Sequence, residues 1–276
     1  MQTVSTARAH GGTQGVYRHA STATGTDMTF SVYVPDHAPG VALPVVWYLS
    51  GLTCTHANVT DKGEYRRACA EHGLIFVAPD TSPRGDDVPD RDTWDFGKGA
   101  GFYVDATQEP WSANFRMWSY VTAELPAVLG EEFPADMARQ SIMGHSMGGH
   151  GALTIALRHP DRFRAVSAFA PIVAPTQVPW GSALDRYLGA DVAAQRRHDA
   201  VALIEDGARV ADLLVDQGEA DAFLTEQLRP ELLARACAEA GIDLTLRMQP
   251  GYDHSYHFIS TFMADHLAWH AARLRA

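Results

Sequence analysis

Residues 140–151 read Gln140-Ser141-Ile142-Met143-Gly144-His145-Ser146-Met147-Gly148-Gly149-His150-Gly151, and this stretch decides the fold. Ser141 to Met143 is a short apolar run of the kind that forms a buried strand, and Gly149 to Arg158 reads as a helix. The turn between them, Gly144-His145-Ser146-Met147-Gly148, has the form Gly-x-Ser-x-Gly. In a strand–turn–helix setting this pentapeptide is a nucleophile elbow, which lifts a serine hydroxyl above a parallel sheet. Glycine two residues to either side removes side chains that would clash in so tight a turn. Gly149 and Gly151 permit close packing of the helix, whose N-terminus favours negative charge developing nearby.

Working outward, Pro44 to Leu49 and Leu74 to Ala78 are nearly continuous apolar runs, which suit strands covered on both faces. Asn58 to His72, between them, has helical spacing at Tyr65, Ala68 and Cys69 with Gly73 as a C-terminal cap, giving a βαβ unit. Met28 to Val34 alternates apolar and polar residues before Pro35 and Asp36, and predicts an antiparallel edge strand. Further strands are expected at Gln140 to Gly144, Ala165 to Ala170, Val210 to Val215 and Leu244 to Met248. Helices are expected at Met117 to Leu129, Gly149 to Arg158, Leu228 to Ala240 and Tyr256 to Leu274. The pattern predicts one α/β domain over residues 1–276, a mostly parallel sheet with helices on both faces, and a flexible tail at residues 1–12. Asp80 to Ser112 and Pro171 to Val192 read as long irregular segments, and segments of that length are more often functional than idle. Both are placed to roof a site.

Composition narrows the partners. With 33 acidic and 22 basic residues the formal charge is −11, which repels a phosphate backbone, so nucleic acid is excluded as an expected partner. Met1 to Gly15 has no basic start followed by an apolar run, and no stretch is apolar for long enough to span a bilayer. A cytoplasmic protein with no membrane partner is expected. Cys54, Cys69 and Cys237 have neither disulfide nor metal spacing, and no metal site is expected.

A serine needs a base to take its proton and an acid to orient that base, and in this fold the chain order is serine, acid, histidine. His254, in Gly251-Tyr252-Asp253-His254-Ser255, falls between the last strand and the last helix, where the histidine belongs; His257 reads as an ordinary helix residue. Asp216, Glu219 and Asp221 follow the preceding strand, and spacing alone does not choose among them. Asp216 looks like a turn residue at the strand end, while Asp221 lies farther into the loop, within reach of His254. Asp253 is better suited to shaping its own turn. The tetrahedral intermediate needs two N–H donors: Met147, after the serine, and Leu52, in Leu49-Ser50-Gly51-Leu52, are the candidates. Cys54, two residues on, is the one cysteine placed to line the site.

Beyond these residues the chain closely resembles the S-formylglutathione hydrolase (esterase D) family of the α/β-hydrolase superfamily. The likeness runs through Leu49-Ser50-Gly51-Leu52-Thr53-Cys54-Thr55, Ala78-Pro79-Asp80-Thr81-Ser82-Pro83-Arg84-Gly85, Trp94-Asp95-Phe96-Gly97 and Gly99 to Thr107. It continues in Gly144 to Ala152, Asp216-Gln217-Gly218 and Gly251 to Tyr256. It implies a triad of Ser146, Asp221 and His254, with Ala220 standing where many relatives carry a second acid. It also implies a thioester substrate, S-formylglutathione, cleaved to formate and glutathione in formaldehyde catabolism, together with activity on small activated esters, no cofactor, and a homodimer. Trp180, in a Pro-Trp-Gly stretch typical of the family, is expected to border the acyl pocket.

Overall fold

The computed structural model describes residues 1–275. The strands are β1 (Gln2–Ala9), β2 (Gly12–Ala20), β3 (Asp27–Pro35), β4 (Leu43–Leu49), β5 (Ile75–Pro79), β6 (Ala135–His145), β7 (Phe163–Phe169), β8 (Asp212–Gly218) and β9 (Asp243–Gln249). The described residues form one nine-stranded sheet in the order β1-β2-β3-β5-β4-β6-β7-β8-β9. From β5 to β9 neighbours run parallel, and β1, β2 and β3 add antiparallel pairs at one edge. Every residue of β4 and β5 is buried, which is why both read as unbroken apolar runs.

The helices are α1 (His56–Lys62), α2 (Arg66–His72), α3 (Met117–Ser119), α4 (Leu125–Glu132), α5 (Met147–Arg158), α6 (Ser182–Leu188), α7 (Val192–Arg196), α8 (Ala200–Glu205), α9 (Pro230–Ala240) and α10 (Tyr256–Arg275). α1 and α2 pack with α10, while α5 packs on β4, β6 and β7 and meets α8. The helix expected from Asn58 is thus two, separated at Gly63. Between α3 and α4 the chain makes a wide π turn, Tyr120–Glu124. Pro126, lacking an N–H and crowding the carbonyl one turn back, leaves the Thr122 oxygen free, and an Arg162 N–H donates to it at 2.5 Å. The second irregular segment holds α6 and two short 3₁₀ turns, Pro175–Gln177 and Pro179–Gly181.

Two expectations fail together at the N-terminus. Residues 1–12 are not a flexible tail: β1 pairs along its length with β2 through a two-residue turn, His10-Gly11, both with positive φ (46° and 67°). The Tyr33 hydroxyl fastens this turn, reaching the carbonyls of Ala9 (3.0 Å) and His10 (3.1 Å). Consequently β3 lies between β2 and β5 instead of at the edge. β1 is exposed almost throughout, so its residues carry no apolar alternation to betray a strand. β8 also runs to Gly218, three residues beyond the expected end, and takes Asp216 into the sheet.

Among the described residues no helix is long and apolar enough to cross a membrane.

Candidate active site

The elbow is built by contacts that only glycine tolerates. A Cβ on Gly148 would stand 1.9 Å from the Leu49 carbonyl oxygen, and one on Gly144 would stand 2.2 Å from that of Gly148. Ser146 itself has φ 57° and ψ −119°, a strained conformation for a residue with a side chain. Ties to β7, to the segment after it and to α5 hold it there: the Ser146 N–H donates to the Phe169 carbonyl at 2.9 Å, and the Ser146 carbonyl accepts from Ile172 and His150. The side chain stands at the C-terminal end of β6, immediately before α5, as strand-to-helix geometry requires.

Opposite lies the turn after β4. A Cβ on Gly51 would be 3.1 Å from the Ser146 Cβ, so the turn passes directly against the nucleophile position. The segment Asp80 to Ser112 clamps this turn from outside. The Thr53 N–H donates to the Gly99 carbonyl at 2.9 Å, and the Cys54 carbonyl accepts from the Thr81 hydroxyl (2.5 Å) and Arg84 (3.2 Å). The Leu52 N–H takes no backbone acceptor among the described residues, and Met147 opens α5, where an N–H has no carbonyl one turn earlier.

The candidate acid and the candidate base arrive on neighbouring loops. Glu219 N–H donates to the Gln249 carbonyl at 3.0 Å and Ala220 N–H to that of Tyr252 at 2.9 Å, lacing the loop after β8 to the loop after β9. Gly218 makes room, since a Cβ there would lie 2.3 Å from the Tyr252 carbonyl. His254 Nδ1 then donates to Asp221 Oδ2 at 2.5 Å. The Asp221 side chain, fully buried, also accepts from Gln217 Nε2 (3.2 Å) and the Phe223 N–H (2.8 Å). Three donors on one carboxylate fix its orientation and thereby that of the imidazole.

Asp216, the turn candidate, is instead buried within β8, held by Arg247 at 2.6 Å and 2.5 Å and by Gln249 at 3.1 Å. Glu219 is exposed. The Asp253 carboxylate accepts from the Ser255 N–H at 2.9 Å and shapes its own turn.

Ser146 and His254 line one cavity of about 190 Å³ with Gly51, Leu52, Thr53, Trp94, His145, Trp180 and Phe223. Trp180 thus stands at the cavity wall, 4.8 Å from the Phe223 ring and edge-on to Trp94 at 5.7 Å. Cys54 is not part of this wall: its thiol is buried beside the Tyr256 phenol, and burial pushes its pKa up. The aromatic pair Trp94 and Phe223, like His145, escaped sequence reasoning. For Trp94 the signal was a tryptophan within a long segment already expected to roof the site. Among the described residues no group of three or more His, Cys, Asp or Glu is arranged to hold a metal ion.

A mostly parallel sheet with a serine elbow after a central strand, and a histidine–carboxylate pair on the loops after two later ones, defines the α/β-hydrolase class. Residues 21–269 match the family described as "Putative esterase". An S-formylglutathione hydrolase of Paracoccus denitrificans is 54% identical over 274 residues, covering 99% of this chain and 98% of that one. One from Mus musculus is 49% identical over 281 residues, with 100% and 99% covered. A solved S-formylglutathione hydrolase from Agrobacterium tumefaciens superposes with a TM-score of 0.98 at 62% identity, over 99% of this chain and all of that one. The chain belongs to this esterase family.

Proposed function

We propose that the chain hydrolyses S-formylglutathione to formate and glutathione through a formyl-serine intermediate. The observation that carries the reading is the size and make-up of the cavity: about 190 Å³, holding Ser146 and His254 and walled by Trp94, Trp180 and Phe223. A formyl group is the smallest acyl group, and a cavity walled by three large rings leaves little room for longer ones. The identity to S-formylglutathione hydrolases over nearly the whole chain supports the same substrate.

In this reading Ser146 Oγ attacks the formyl carbon while His254 Nε2 takes its proton, and Asp221 holds the imidazolium through Nδ1. Negative charge gathers on the carbonyl oxygen, where the Leu52 and Met147 N–H groups receive it. The carbon–sulfur bond breaks, and His254 returns the proton to the departing glutathione thiolate. Water, deprotonated by His254, then attacks the formyl-serine ester, releasing formate and restoring Ser146. A homodimer in a reducing, cytoplasmic compartment completes the proposal, supported by the family resemblance and by three buried free thiols.

The test is the specificity constant for S-formylglutathione against S-acetylglutathione and a short aryl ester, with Ser146→Ala as blank. A formyl preference of roughly a hundredfold, about 2.7 kcal/mol of differential transition-state binding, is expected. Equal constants on all three would make the chain a broad short-acyl carboxylesterase instead.

A further inference from the structure

His145, the last residue of β6, has no part in the mechanism above, yet it lies at the junction of every piece of the site. Its side chain is buried, neither ring nitrogen makes a well-formed hydrogen bond, and the His254 backbone is a polar group beside it. Buried polar atoms are rarely left without a partner. The ring touches that of His254: the two ring centroids are 4.4 Å apart at an interplanar angle of 45°. A Cβ on Gly51 would lie 3.2 Å from His145 Nδ1, so the same ring abuts the oxyanion turn.

His254 needs such a neighbour. It sits in an irregular loop, and its bond to Asp221 fixes one atom, Nδ1, while leaving the ring free to pivot about that bond. Phe223 meets the ring edge-on at 5.1 Å, but it belongs to another loop. His145 is the contact that comes from the rigid sheet, on a strand paired on both sides with β4 and β7.

We propose that His145 is a positioning residue, whose ring, fixed at the end of β6, holds the His254 imidazole in the plane from which Nε2 reaches Ser146. The electrostatics agree with this geometry. Burial first, and then the nearby charge of His254, hold the His145 pKa well below the ordinary histidine value against the opposing effect of the His254 backbone, so the ring stays neutral. A neutral ring adds no positive charge to oppose the imidazolium forming on His254.

The proposal rests on the roles given above to Ser146 and His254. Hydrolysis of S-formylglutathione by the parent enzyme, abolished in Ser146→Ala, tests those roles separately. His145→Ala and His145→Phe are then compared with the parent. With the ring removed, kcat is expected to fall about tenfold or more while KM stays within about twofold. Phenylalanine, which restores a ring without nitrogens, is expected to recover most of the loss. The proton shared by His254 Nδ1 and Asp221, followed by NMR in the resting enzyme, is expected to shift in the alanine variant and return in the phenylalanine variant. Should His145→Ala not fold, His145→Leu, which fills the space without a ring, takes its place against His145→Phe. An unchanged kcat in the ringless variant would overturn the proposal. So would a phenylalanine variant as slow as the ringless one, or a loss confined to KM.

Discussion

Among the described residues, two sets bring a serine, a histidine and an aspartate together from different elements of the fold. Ser146, His254 and Asp221 gather at the C-terminal ends of β6, β9 and β8, around a cavity. Ser167 of β7, His266 of α10 and Asp216 of β8 gather beneath, where all three side chains are fully buried. The lower set is tightly bonded: His266 Nδ1 and Ser167 Oγ are 2.8 Å apart, His266 Nε2 and Asp216 Oδ2 are 3.2 Å apart, and His270 Nε2 stands 2.7 Å from the same serine. Residue types therefore do not separate the site from its counterpart, and among the described residues the serine–histidine hydrogen bond is made in the lower set, not the upper. What separates them is backbone and space. Ser167 lies in regular strand, paired with Met143 and Leu214, so the surrounding N–H groups are spent in the sheet. Ser146 is at φ 57°, outside the ladder, with the Leu52 and Met147 amides at hand and a cavity for substrate. The upper set opens onto a cavity, as the proposed chemistry requires, and the lower set ties β7, β8, β9 and α10 together.

Ser146→Ala separates the two sets most strongly: it is expected to cost on the order of 10⁵ or more in kcat with little change in thermal midpoint. Next is Asp221→Asn, which leaves His254 without its orienting acceptor; a loss of roughly 10⁴ in kcat is expected in steady-state assays.

The following effects fall on stability. His150 and His266 are both buried, and burial is the main cause holding their pKa values down, to about 4 for His150. Both stay neutral when folded, whereas in the unfolded chain they take up protons below about 6.5. Their contribution is therefore present above pH 6.5 and lost as pH falls through the depressed values, with His150 alone accounting for up to about 3 kcal/mol. Denaturant titrations from pH 7 down to 4 should show stability falling over that window; a rise would contradict the assignment.

Asp216 differs in detail: burial pushes its carboxyl up, but hydrogen bonds from His266 and Arg247 outweigh this and hold it low. Asp216→Asn is expected to lower stability by about 2 kcal/mol, because Arg247 is partly exposed and keeps Asp265 at 3.3 Å, and to leave kcat within an order of magnitude. Ser167→Ala is the mildest, about 1 kcal/mol in urea unfolding with kcat/KM within about threefold.

The same contrast explains what was legible in the sequence. Local chemistry could be read: the glycines about Ser146 announce the elbow, the apolar runs of β4 and β5 announce a covered parallel sheet, and the Tyr-Asp-His loop announces His254. Chemistry assembled over long separations could not. Asp216 looked like a turn residue because its partners, Arg247 and His266, lie 31 and 50 positions later. β1 was missed because a solvated strand needs no apolar pattern, though His10-Gly11 between two Thr-containing segments was a hairpin signal. Cys54 was expected at the cavity wall by proximity along the chain, but the turn that brings Leu52 and Thr53 to the cavity leaves its thiol beside Tyr256. Trp94 and Phe223 became site residues only when two distant loops met.

The most direct test of the account is covalent labelling with a fluorophosphonate, an electrophile that reacts with activated serines, followed by peptide mapping. One adduct, on the peptide bearing Ser146, undiminished in Ser167→Ala and absent in Ser146→Ala, is the predicted result. An adduct on Ser167, or labelling that persists in Ser146→Ala, would contradict it.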